Sequence, residues 1–153
     1  MWRSAEIDAL DFVAPHDGEG LAVAPDGEML FVCAPTRAWC MSSTRARLQT
    51  LAIEGAPREA NQLCRVRVSP HGRYVCASSR VDNFAAIYEV GALKQIGGFV
   101  TPQAPMGFGF DGHGRHGYLC CHDAAVTLEF ELAGGHITGQ FKTAAGCEFI
   151  VSY

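Results

Sequence analysis

Arg65-Val-Arg-Val-Ser-Pro-His-Gly-Arg-Tyr-Val-Cys76 decides the fold, because two further windows repeat its plan. They are Leu21-Ala-Val-Ala-Pro-Asp-Gly-Glu-Met-Leu-Phe-Val32 and Gly107-Phe-Gly-Phe-Asp-Gly-His-Gly-Arg-His-Gly-Tyr118. In each, a short apolar strand runs into a tight turn and a second strand follows. Pro or Asp presets the turn, and Gly27, Gly72 or Gly114 accepts the positive φ that it requires. These glycines are 45 and then 42 residues apart. A period of that length with a strand–turn–strand unit is the pattern of β-propeller blades.

Working outward from the windows, four strands are expected per blade. The innermost, a, spans 21–24, 65–68 and 107–110. Strand b spans 29–33, 74–78 and 117–121. Strand c spans 39–43, 84–89 and 126–132, and strand d spans 48–53, 95–100 and 137–142. Helix signals are almost absent, so the expected class is all-β: four-stranded antiparallel propeller blades over residues 20–56, 64–101 and 106–142.

Both ends continue the pattern. Phe12-Val13-Ala14-Pro15 matches Phe99-Val100-Thr101-Pro102, and Glu148-Phe-Ile-Val-Ser-Tyr153 matches the segment from Met106. Loose end strands are therefore expected over 5–13 and 148–153. One outer strand, three blades and one inner strand form an incomplete ring, whereas propellers close with ~4 to 8 blades. The expectation is a homo-oligomer, or a partner chain or longer parent, that closes the ring, the alternative being an unusual pairing of the two ends. Two copies would supply the strands of a seven-bladed propeller.

The 153 residues suit one ordinary domain, and 48% apolar with 18% charged residues gives material for a core. A net charge of −4 without a Lys/Arg run argues against a general nucleic-acid surface, although Arg45, Arg47, Arg65 and Arg67 could form a small basic patch. The first residues lack a secretory pattern and no apolar run has the length of a membrane span. Seven cysteines, an odd number without a Cys-x-x-Cys pair, fit reduced thiols and a cytoplasmic setting.

Val68-Ser-Pro-His-Gly-Arg-Tyr-Val75 and Val81-Asp-Asn-Phe-Ala-Ala-Ile-Tyr88 resemble the YVTN-type, lactonase-like β-propeller repeats, and Pro105-Met106-Gly107 resembles the start of a blade in that group. The resemblance covers roughly residues 12–153 and implies a propeller fold. That fold hosts lactonases, dehydrogenase scaffolds and plain binding proteins. This chain departs from the group in its length, in placing His71 and His113 where a turn aspartate is usual, and in lacking an obvious catalytic set.

In a propeller, the b–c and d–a loops gather on one face around the central channel, where ligands commonly bind. On those loops the residues with chemistry are Asp17, Glu19, Arg37, Arg80, Asp82, Asn83, His122, Asp123 and Glu148, the candidate ligand-binding set. Glu19, Cys64, Met106 and Glu148 occupy one slot in successive blades. Glu19 and Glu148 could thus hold a divalent cation that polarises a lactone carbonyl; the plain alternative is a pair of solvated carboxylates. His113-x-x-His116 falls in an a–b turn on the opposite face and lacks further zinc ligands. Cys121-His122-Asp123 has the residue types of a catalytic triad, but neighbours along a strand point to opposite faces. Three functions are expected in order: a non-catalytic propeller binding a small molecule or protein at its channel face, a lactonase-like metal-dependent hydrolase, and a structural fragment completed by oligomerisation.

Overall fold

The computed structural model describes residues 20–34, 37–42, 48–51, 53–56 and 63–150. Among them there is no helix. Blade 1 consists of β1 (Gly20–Val23), β2 (Met29–Ala34), β3 (Arg37–Ser42) and β4 (Leu48–Leu51). Blade 2 consists of β5 (Leu63–Val68), β6 (Tyr74–Ser79), β7 (Phe84–Glu89) and β8 (Lys94–Val100). Blade 3 consists of β9 (Pro105–Phe110), β10 (His116–Cys121), β11 (Val126–Glu131) and β12 (Ile137–Lys142). Each is an antiparallel sheet with its strands in chain order, and the three sheets do not close into a ring. The expected opening strand over 5–13 lies outside the described residues.

The three a–b turns are built alike. Gly27, Gly72 and Gly114 have φ of 76°, 70° and 65°. Their amides donate to the carbonyls of Ala24, Ser69 and Asp111 at 2.8, 2.9 and 3.1 Å. Each turn is therefore a four-residue β-turn closed by its i to i+3 hydrogen bond, which fixes the register of the following strand.

Neighbouring blades pack face to face. β5 lies against β1 and β2, and β9 lies against β5 and β6. Blade 2 is covered on both sides, so β6 is buried along its whole length and β7 along all but its last residue. Val75, Ala77, Ala86 and Tyr88 join Phe31 and Leu51 in one core. Cys76, Ala85, Ile87 and Phe99 join Phe108, Leu119 and Phe130 in the other. Full burial of a side chain such as Phe130 contributes roughly 1.5–3 kcal/mol, and the outer strand β12, exposed at most positions, contributes little of this kind.

Polar links tie the blades as well. Gln95 and the Glu54 backbone bond reciprocally, with Glu54 N donating to Gln95 Oε1 at 2.7 Å and Gln95 Nε2 donating to Glu54 O at 2.8 Å. On the inner strands, Arg67 Nη1 donates to the carbonyls of Phe108 at 2.6 Å and Ile150 at 2.9 Å. One guanidinium thus spans blade 2, blade 3 and the segment beyond it. That segment runs beside β9, where Gly107 N donates to Glu148 O at 3.0 Å. A Cβ on Gly107 would meet the Glu148 carbonyl oxygen at 2.2 Å, so glycine is needed for this approach. Glu148–Ile150 forms no strand ladder, and 151–153 lie outside the described residues.

Candidate functional site

β10 ends at Cys121, and the chain turns through His122–Ala125 before β11. Ala125 holds φ at 53° to make this turn. The segment after β12 then folds back over it. Thr143 N donates to Ala125 O at 2.9 Å, and Gly146 N donates to His122 O at 3.2 Å. Those bonds bring Cys147 and Glu148 to the turn.

The result is a carboxylate–imidazole–carboxylate row. His122 Nδ1 lies 2.6 Å from Asp123 Oδ1, and His122 Nε2 lies 3.9 Å from Glu148 Oε1. All three side chains reach solvent, with 30%, 49% and 45% of their surface exposed. Strand alternation was expected to keep His122 and Asp123 apart. It does not apply, because both residues stand beyond the end of the strand. Protonated, the imidazole presents an N–H towards each carboxylate; neutral, it presents one donor and one acceptor.

Asp82 and Asn83 are engaged in and around their own loop instead. Asp82 is buried, accepts from Ser79 Oγ at 2.6 Å through Oδ2, and its amide donates to Ser79 Oγ at 3.1 Å. Asn83 has φ of 50°, and its Oδ1 accepts from Ala104 N at 2.9 Å. Both build the β6–β7 loop and its contact with the loop before β9. Arg80 is exposed at the start of that loop. Arg37 opens β3, paired with Ala34. Asp17 and Glu19 lie outside the described residues, so the Glu19–Glu148 cation pair does too. In the shared slot, Cys64 and Met106 are buried within β5 and β9, and Glu148 is exposed. No group of three His, Cys, Asp or Glu among the described residues could hold a metal ion. His116 of the His113-x-x-His116 pair faces Asp111, Nδ1 to Oδ2, at 3.3 Å.

Thiols adjoin the row in the chain, Cys121 next to His122 and Cys147 next to Glu148. Cys120 Sγ and Cys147 Sγ are 2.8 Å apart. Burial, and then the contact with Cys147, push the Cys120 thiol up to about 12. Burial and the neighbouring Cys147 push Cys121 up to about 11. Both thiols are thereby disfavoured as thiolates, and Cys121 is fully buried beside His122. The Cys120–Cys147 contact joins residues 27 apart without a recognisable spacing motif; the only signal is that Cys147 follows β12 as Pro105 follows β8.

No protein-family model and no curated protein matches the sequence. Solved structures do match it. Hydrazine synthase of Kuenenia stuttgartiensis aligns with a TM-score of 0.74 and 12% identity over 90% of this chain and 41% of that one. U3-55K aligns with 0.71 and 17% identity over 82% and 39%. A 6-phosphogluconolactonase-like protein of Bacteroides fragilis aligns with 0.70 and 22% identity over 90% and 42%. These neighbours are β-propeller proteins, and the likeness carries the fold alone. The chain spans about two fifths of the length of each.

Proposed function

We propose that this chain is a YVTN-type propeller repeat protein that binds, without catalysis, a small basic molecule at its loop face. One observation carries this reading: Asp123 and Glu148, from two loops, flank His122 within 2.6 and 3.9 Å and remain open to solvent. An ammonium or guanidinium group can be met there by charge-assisted hydrogen bonds. The raised thiols of Cys120 and Cys121 favour binding over a cysteine-based hydrolysis.

Ring closure belongs to the same proposal. Leu21 and Val23, 64% and 54% exposed, give β1 an apolar face of the kind that neighbouring blades cover elsewhere in the chain. A second copy of this chain is the proposed occupant, and a monomeric mass by light scattering would refute it.

Calorimetric titration with agmatine and putrescine tests the site. The expected result is saturable binding with a Kd of about 1 mM or tighter, weakened roughly tenfold by Asp123→Asn or Glu148→Gln. No saturation with either amine overturns the reading. Turnover of a lactone that Glu148→Gln abolishes would replace it with the hydrolase.

A further inference from the structure

On the face opposite the loops, blades 2 and 3 line an open cleft of about 730 Å³. Its walls are two copies of one turn. His71-Gly72-Arg73 and His113-Gly114-Arg115 stand at the same position in successive blades, 42 residues apart, and both contribute to the lining. Blade 1 has Asp26-Gly27-Glu28 there, so basic character is confined to the pair that faces this cleft. The turns touch: a Cβ built on Gly114 would meet His71 Cδ2 at 2.8 Å, which places the imidazole of one turn on the backbone of the next.

The cleft therefore brings together two guanidinium side chains and the imidazoles of His71, His113 and His116. Three carboxylates stand near them. Asp111 is engaged by Arg115 N at 2.8 Å and by His116. Glu89 meets Arg73 at 3.8 Å in a pair whose side chains are 68% and 38% exposed, which holds the arginine weakly. Glu131 lines the cleft. Arg73 also lies over the Tyr74 ring, 5.2 Å from its centroid, so its planar group is oriented beside an aromatic wall.

Two forked donors lining one cleft together with three imidazoles suit a tetrahedral dianion better than a planar carboxylate. The volume exceeds that of a free phosphate and lies in the range of small-molecule sites. We propose that this cleft binds a small molecule bearing a phosphate monoester, with Arg73 and Arg115 on the phosphate oxygens and Tyr74 beside the organic part. It is a second site, independent of the loop-face row.

The test follows amide shifts by NMR during titration with phenyl phosphate, inorganic phosphate and benzoate. Phenyl phosphate should saturate with shifts centred on Gly72 and Gly114, inorganic phosphate should bind the same amides more weakly, and benzoate should bind least. Arg73→Gln and Arg115→Gln should each weaken phenyl phosphate by roughly tenfold with an unchanged amide spectrum elsewhere. His71→Gln should weaken it less, and Glu28→Gln in blade 1 should leave it unchanged. The proposal fails if nothing saturates, if benzoate matches phenyl phosphate, or if both arginine variants bind as the parent does. Shifts centred on His122 and Gly146 instead would place the anion on the other face and also overturn it.

Discussion

A shift of 42 residues lays blade 2 on blade 3. The left-handed residues Gly72, Asn83, Leu93 and Ala104 fall on Gly114, Ala125, Gly135 and Gly146, with φ between 50° and 87° throughout. Backbone bonds shift with them: Val90 N to Arg73 O becomes Leu132 N to Arg115 O, and Thr101 N to Asn83 O becomes Thr143 N to Ala125 O. The side chains do not follow. Strand b ends in Ser78-Ser79 in one blade and Cys120-Cys121 in the other, and the loop after it has Asp82-Asn83 in one and Ala124-Ala125 in the other. In blade 2, Ser79 and Asp82 hold the loop from inside, and the Asn83 side chain ties it to Ala104 of the returning segment. In blade 3 the Gly146 amide bonds the loop backbone at His122 O instead of a side chain, while His122 and Asp123, at the places of Arg80 and Val81, face solvent side by side. The comparison separates polar residues that build a loop from polar residues that a built loop displays.

The largest expected effect lies in the cores. Phe130 is fully buried, with its ring 5.0 Å from Phe99 and 6.2 Å from Phe108. Phe130→Ala should cost about 3–5 kcal/mol in urea unfolding. Tyr88 holds the matching place in blade 2, and its buried hydroxyl has no hydrogen-bond partner among the described residues. Tyr88→Phe should therefore be neutral or gain about 1 kcal/mol. A loss on Tyr88→Phe would mean that the hydroxyl is bonded, and the two cores would differ in kind rather than in one atom.

Next comes the contrast between the two loop aspartates. Asp82→Ala should cost about 1–3 kcal/mol, because it strips a buried hydrogen bond from Ser79. Asp123→Ala, on an exposed side chain, should stay within about 0.5 kcal/mol. Equal costs would erase the distinction between building and display.

The sequence displays the strands and turns because their signals are local: period-two apolar residues, Pro or Asp before Gly, and a repeat long enough to count. Strand limits differ from the expected ones by one or two residues, as at Leu63 and Lys94, where pairing extends past the apolar run. The left-handed residues Leu93, Ala104 and Ala125 carry no glycine signal, so only the repeat could locate them. Asp82 looks as available as Asp123 in the sequence. Its burial depends on Ser79 three residues earlier, and blade 3 has Cys121 at that place. The convergence of Glu148 on His122 needs the segment after β12 to fold back, which no local pattern announces.

A smaller effect should appear in acid. Ser69 and Asp111 cap the same turn in the two blades, Ser69 Oγ accepting from Tyr74 N at 3.0 Å and Asp111 Oδ1 from Arg115 N at 2.8 Å. Burial alone would raise the Asp111 carboxyl, but the Arg115 and His116 amides and the His116 side chain override it and hold the carboxyl below its ordinary value. A depressed carboxyl stabilises fully above its unfolded value, about 3.9, and loses that contribution as pH falls through the folded one. Asp111→Asn should therefore flatten the acid limb of the stability profile, whereas Ser69→Ala should lower stability equally at every pH. An acid limb that Asp111→Asn leaves intact would assign the titration to another carboxylate.

The smallest effect asks whether the shared skeleton suffices to move a side chain from one blade to the other. Ala125 holds φ at 53°, the region that asparagine tolerates best after glycine, and Asn83 occupies it in blade 2. Ala125→Asn should relieve strain and raise stability by about 0.5 kcal/mol, read as a shifted urea midpoint at constant slope. The amide of Gly146, which matches the Ala104 amide that Asn83 engages, already donates to His122 O at 3.2 Å. A new Oδ1 would compete for that donor. If stability rises while the His122 and Glu148 resonances stay in place, the gain comes from the backbone alone. If those resonances move, the asparagine has taken Gly146 from His122, and the loop of blade 3 is tied to the returning segment by a side chain, as the loop of blade 2 is.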